Sequence, residues 1–70
     1  MNTIYEVKDL GKLIRKKRKL LGYTQQYVSD FSGLSVSFIS DVENGKNTVE
    51  FRKVIELTNI LGLDILVSER

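Results

Sequence analysis

Neither histidine nor cysteine occurs among the 70 residues. Ser-His-Asp and Cys-His nucleophilic catalysis, disulfides, Cys/His zinc sites and haem attachment are therefore all excluded. Nine carboxylates remain as candidates for acid/base work. However, Asp41 and Glu43 stand two apart on a segment that reads as helix and so diverge, and no glycine loop that could cradle a phosphate is present. The chain is expected to be no enzyme and to need no metal or other cofactor; its chemistry is recognition by binding.

Charge distribution says more than the sum of +2 from eleven Lys+Arg against nine Asp+Glu. Lys8, Lys12, Arg15, Lys16, Lys17, Arg18 and Lys19 crowd the first third. Residues 20 to 45 carry no Lys or Arg and three acids, Asp30, Asp41 and Glu43, so any contact with nucleic acid there must use neutral polar groups. The run Arg15 to Lys19 superficially resembles a localisation signal or membrane-surface patch but is more simply one solvated helix face, able to steer DNA at long range. No apolar run approaches the roughly 18 residues of a spanning helix, and the start lacks the order of a signal peptide. A soluble, cytoplasmic protein with no membrane partner is expected.

These groups must be positioned by short helices. Leu10, Leu13, Ile14, Leu20 and Leu21 recur at helical spacing with the lysines opposite, predicting a first helix from Lys8 to Leu21 that Gly22 closes. Gly11 inside it costs about 1 kcal/mol relative to Ala, which points to close approach of another helix. Thr24 caps a second helix through Phe31, with Val28 and Phe31 inward. Ser32-Gly33-Leu34 turns the chain, and Ser35 caps a third helix to Val42 or Glu43 with Phe38, Ile39 and Val42 as its apolar edge. Asn47 with Glu50 resembles a capping box for a fourth helix, whose Phe51, Val54, Ile55, Thr58 and Leu61 share one face until Gly62.

After Gly62 the alternation of Leu63, Ile65 and Val67 predicts a short strand. A lone strand leaves its backbone unpaired, so its partner must be Thr3-Ile4-Tyr5, the same tail of a second copy, or another protein. Chains near this size extract about 3–5 kcal/mol from a core unaided. With disulfides and Cys/His metal sites excluded, oligomerisation is the leading staple. Residues 1–7 read as an arm, 8–62 as the domain, and 63–70 as a strand and tail serving dimerisation.

Two short helices joined by a tight glycine turn have the dimensions of a helix-turn-helix. Gly22-Tyr23-Thr24-Gln25, then Gly33-Leu34-Ser35, then Ile39-Ser40-Asp41-Val42-Glu43-Asn44-Gly45-Lys46 resemble the Cro/C1-type (XRE) helix-turn-helix family over about residues 8 to 62. The ending Gly62-Leu63-Asp64 and the strand after it resemble, more narrowly, the HipB-like antitoxins. The resemblance implies an all-α, lambda-repressor-like domain of four to five helices with a short C-terminal strand, a homodimer on a double-stranded DNA operator, and a HipA-like kinase toxin as a possible partner.

Residue chemistry supplies the candidate site. Gln25 and Gln26 stand at the start of helix two, where free N–H groups and the helix dipole attract phosphate. The resemblance favours phosphate contact for Gln25; for Gln26 contact and idle exposure weigh equally. Ser35, Val36, Ser37, Ser40 and Asp41 face outward on helix three. Serine can donate or accept at base edges, Val36 can pack on a thymine methyl, and Asp41 can accept from cytosine N4, stand merely solvated or reject wrong sites by repulsion. Lys46 and Asn47, with Asn44 as a lesser candidate, match positions where the family contacts the DNA backbone. Arg18 lies at the border of the apolar face and Glu43 beside Ile39 and Val42; the resemblance pairs them as a structural ion pair, although spacing nominates Lys17 as well unless its stem snorkels outward.

The resulting reading is a repressor that autoregulates its operon as the antitoxin of a HipBA-like pair. A phage-type or stand-alone XRE regulator, and a toxin-neutralising interaction protein with little DNA binding, remain alternatives.

Overall fold

The computed structural model describes residues 2–70. Among them are four helices, α1 (Val7–Leu20), α2 (Gln25–Ser32), α3 (Val36–Glu43) and α4 (Phe51–Ile60). The all-α expectation holds. Helix α1 begins one residue earlier than its apolar spacing predicts, because the Asp9 carboxylate accepts from the Tyr5 and Glu6 N–H groups, both at 3.0 Å, and so caps the first turn. Those N–H bonds, Tyr5 first, hold the Asp9 carboxyl below its ordinary value. Thr24 and Ser35 cap α2 and α3 as predicted, accepting from the Tyr27 and Phe38 N–H groups at 3.0 Å.

The core is built from Ile14 of α1, Val28 of α2, Leu34 in the turn, Ile39 and Val42 of α3, and Val54, Leu57 and Leu61 of α4. Helix α1 packs directly on α3. Gly11 makes this possible, since a Cβ there would overlap the Val42 carbonyl oxygen. Close helix approach therefore explains the glycine that helix propensity disfavours. At the far end of α3, Gly45 adopts φ +79° and completes a cap in which Gly45 N–H donates to the Val42 carbonyl and Lys46 N–H to the Asp41 carbonyl.

Arg18 and Glu43 join these two helices. Only 7% of Arg18 and 8% of Glu43 is exposed. Arg18 Nε donates to Glu43 Oε2 at 2.7 Å and its Nη2 to Oε1 at 2.9 Å, while Nη1 donates to the Tyr23 carbonyl at 2.8 Å. The hydrogen bonds to Glu43 raise the Arg18 pKa above its ordinary value. Lys17, the competing nominee, is half-buried, and its ammonium runs to within 3.9 Å of where a Gly62 side chain would begin. It snorkels toward the C-terminal end of α4, where the helix dipole favours a cation.

Four expectations are corrected. Asn47 caps nothing: the N-cap of α4 is Glu50, in extended backbone, because Val49 must first pack against the core. Phe51 is 65% exposed, since the buried stripe of α4 runs through Val54, Leu57, Thr58 and Leu61. Phe31 also faces out; it stacks edge-on against Tyr27 at 5.2 Å, and Tyr27 lies 4.9 Å from Tyr23, so the three rings form a satellite cluster outside the core. Leu20, 78% exposed, and Leu21 likewise leave the core face of α1.

The tail departs most. Among the described residues there is no strand, and no backbone hydrogen bond joins residues 3–5 to 63–67. Leu63 is anchored by its N–H to the Thr58 carbonyl at 2.9 Å and packs against the core, whereas Ile65 and Val67 are exposed. The alternation is real, but within one chain nothing supplies the second backbone that a strand requires.

Gly11→Ala should lower stability by about 1–3 kcal/mol, the usual range for overpacking, seen as an earlier urea midpoint. Arg18→Met should cost about 3–5 kcal/mol, because Glu43 is left charged and uncompensated. Unfolding by urea at neutral pH checks both; unchanged midpoints would mean that the helices are not so close and that the pair is not desolvated.

Candidate nucleic-acid interface

Helix α3 presents one edge to solvent because its opposite side, Ile39 and Val42, is wholly buried. Ser37, Ser40, Asp41 and Asn44 follow one another at spacings of three, one and three residues and so share that outer face. Ser35 and Ser37 are exposed, and Val36, Ser40 and Asp41 half-buried. Burial of this edge would exclude groove entry; the edge is open.

Several of these groups are already engaged within the chain. The Ser35 hydroxyl is the α3 cap, yet its own proton stays free to donate. Asn44 Nδ2 donates to Ser40 Oγ at 3.3 Å, so these two polar groups act as a unit. Lys46 Nζ lies 3.5 Å from Asp41 Oδ2, with both side chains about half exposed. Asn47 is exposed beside Lys46. Within residues 20–51, Lys46 is the sole cation.

At the start of α2 the two glutamines differ. Gln26 is exposed and donates from Nε2 to Asp30 at 2.8 Å, one turn on. Gln25 is half-buried and donates from Nε2 to Glu43 Oε1 at 3.2 Å. One of its two amide protons is thus spent on the buried pair, leaving the other for an incoming acceptor. This link joins α2 to the end of α3. Its spacing of eighteen residues carries no sequence signal.

Lys8 was missed as a candidate because periodicity places it on the solvated face of α1. Its Cβ lies only 2.5 Å from where a Gly45 Cβ would be built, so its backbone abuts the turn that carries Lys46. Its ammonium pairs loosely with Glu6 at 3.4 Å. Only the packing of α1 on α3 brings this cation beside the interface, and nothing in the local sequence announces it. The rest of the basic run, Lys12, Arg15, Lys16 and Lys19, is exposed along α1.

Comparison with known proteins agrees with this geometry. A family model described as helix-turn-helix matches residues 14–67. An uncharacterised HTH-type transcriptional regulator of Sinorhizobium fredii is 35% identical over 57 residues, covering 81% of this chain and 75% of the relative. A competence pilus inhibition repressor of Acinetobacter baylyi is 51% identical over 37 residues, covering 53% of this chain; this chain spans only 34% of that relative's length. Two solved structures, a HipB–O4 20mer complex and an O2 20mer complex of a HipB variant, superpose with a TM-score of 0.88 at 20% identity. They cover 99% of this chain and 97% and 96% of theirs, a likeness of fold. From the ordered motif, the capped α2–α3 pair and the match over most of its length, the chain belongs to the Cro/C1-type (XRE) helix-turn-helix family.

Proposed function

We propose that this protein is a sequence-specific DNA-binding repressor that works as a homodimer and serves as the antitoxin of a HipBA-like pair, repressing its own operon and binding a HipA-like kinase toxin. The observation that carries the DNA reading is the exposed edge of α3, with Lys46 and Asn47 just beyond its end. Ser35, Val36 and Ser37 enter the major groove, where hydroxyls meet base edges and the valine meets a thymine methyl. Ser40 and Asn44 follow one turn on. Lys46 and Asn47 hold the phosphate backbone, and Gln25 and Gln26 bring side-chain amides to it at the positive end of α2. Two such edges read half-sites about 10–10.5 bp apart. The mechanism is occupancy.

The dimer reading rests on surface that one chain leaves uncovered. Leu20, Phe51, Ile65, Leu66 and Val67 are exposed, and Val67 is 95% so. Leu20, Phe51 and the tail residues 63–68 line one groove beside α1. Beyond Leu63 the tail also carries N–H and C=O groups without backbone partners, which a second tail can satisfy. We assign Leu63, Ile65 and Val67 to that contact. The antitoxin reading is supported by the likeness of fold to HipB. A scaffold that neutralises a toxin with little DNA binding is favoured by one observation, the near-neutral charge of the α2–α3 surface.

Binding to a fragment from upstream of its own operon should weaken steeply with salt, at a slope of about −0.9 per neutralised phosphate. Lys46→Glu should weaken binding to all sequences alike and flatten the slope by about one per subunit or more. Titrations at several salt concentrations check this; no shift of any fragment at low salt, with toxin neutralisation intact, would select the scaffold reading. Deleting residues 63 to 70 should turn the dimer into a monomer by mass in solution. An unchanged dimer would remove the tail from the interface.

A further inference from the structure

Asp41 is an anomaly on the α3 edge. The other acids of the α2–α3 region are engaged elsewhere: Glu43 is buried on Arg18, and Asp30, on α2, accepts from Gln26. Asp41 stands on the outer side of α3, one turn beyond Ser37, and its ion-pair partner is Lys46. The two are held together twice. Besides the 3.5 Å contact between side chains, Lys46 N–H donates to the Asp41 carbonyl at 2.9 Å as part of the cap at Gly45.

An exposed pair of this kind is worth little by itself, about 0–1 kcal/mol, so a phosphate can take Lys46 from it readily. Docking then removes the counter-ion from Asp41 while carrying the carboxylate into a groove of negative potential. A carboxylate only accepts hydrogen bonds. Guanine offers it acceptors at N7 and O6, and thymine an acceptor at O4; adenine offers N6 beside the acceptor N7. Adenine N6 is thus flanked by acceptors on both sides, its own N7 and O4 of the paired thymine, whereas the cytosine N4 amine has an acceptor on one side only, O6 of the paired guanine, and is the donor a carboxylate can approach with least repulsion.

We propose that Asp41 is a specificity-determining residue that accepts from a cytosine N4 amine in each half-site, with Lys46 as its counter-ion in the free protein, exchanged for phosphate on docking. This rests on the DNA-binding reading above and adds to it a source of discrimination. The serines and Val36 favour many sequences weakly. Asp41 rejects most of them, because a wrong base leaves a carboxylate facing acceptors with its lysine gone. The exchange also explains how the stretch from residue 20 to 51, with Lys46 its sole cation, carries an acid at the centre of its exposed edge.

The test is selection from a random duplex library with the full chain, followed by affinities on the selected duplex. The wild-type protein should enrich cytosine at one fixed position per half-site, and changing that C·G to T·A should weaken binding about tenfold or more. In Asp41→Ala the same change should matter less than about twofold, while non-selected duplexes bind more tightly than they bind wild type. Asp41→Asn, which preserves the shape, should move the preference toward adenine, the base an amide reads bidentately. If Asp41→Ala keeps the wild-type penalty, or if wild type enriches a motif without such a cytosine, the proposal is overturned and the DNA-binding reading stands. A wild-type protein that binds no duplex at low salt overturns both.

Discussion

The buried ion pair between Arg18 and Glu43 is the constraint on which the presentation of α3 depends. Two charges lie almost wholly out of reach of water, and such a pair holds only if nearly every donor and acceptor is used. Arg18 spends Nε and Nη2 on the carboxylate and Nη1 on the Tyr23 carbonyl, while Gln25 adds a donor to Glu43. Among the described residues no buried side-chain nitrogen or oxygen is left without a partner. One cluster thereby fixes the last residue of α3 to α1, to the loop before α2 and to the first turn of α2. The direction in which the α3 edge faces is set by this junction together with the close α1–α3 contact at Gly11.

The same junction shapes the electrostatics of the outer surface. Because Glu43 is neutralised inside, the charge left on the α3 face is Asp41, and the lysine one cap away balances it. Most of the positive charge lies along α1. In the proposed DNA-binding role that arrangement separates two tasks that many nucleic-acid binders place in one patch: long-range attraction by the basic helix, and short-range discrimination by hydroxyls, a methyl-bearing side chain and a carboxylate. Lys8 bridges the two regions, since its backbone rests against the turn at Gly45.

The apolar surface follows from size. Eight of the described residues form the core, and Leu20, Phe51, Ile65, Leu66 and Val67 lie outside it. A chain of this length has too little interior to bury every apolar residue its helices carry. The Tyr23, Tyr27 and Phe31 rings partly shelter one another, whereas the groove beside α1 and the tail has no such internal cover.

Local signals in the sequence determined the helices and the motif. Thr24 and Ser35 act through N–H groups three residues away, and the apolar spacing of the first three helices needs no distant contact to be legible. Gly11 and the nomination of Arg18 with Glu43 were also visible there, the first as a glycine in the wrong place and the second through family resemblance. Tertiary structure alone decided what depends on distant segments. Asn47 lost its role as a cap because Val49 had first to reach the core. Phe31, Leu20 and Phe51 sit on apolar stripes that the core is too narrow to cover fully. Gln25 turned to Glu43, and Lys8 came beside Lys46, only once α1 and α2 met the end of α3. The tail kept the alternation of a strand but not its pairing, because alternation is a property of one chain and a sheet hydrogen bond belongs to two.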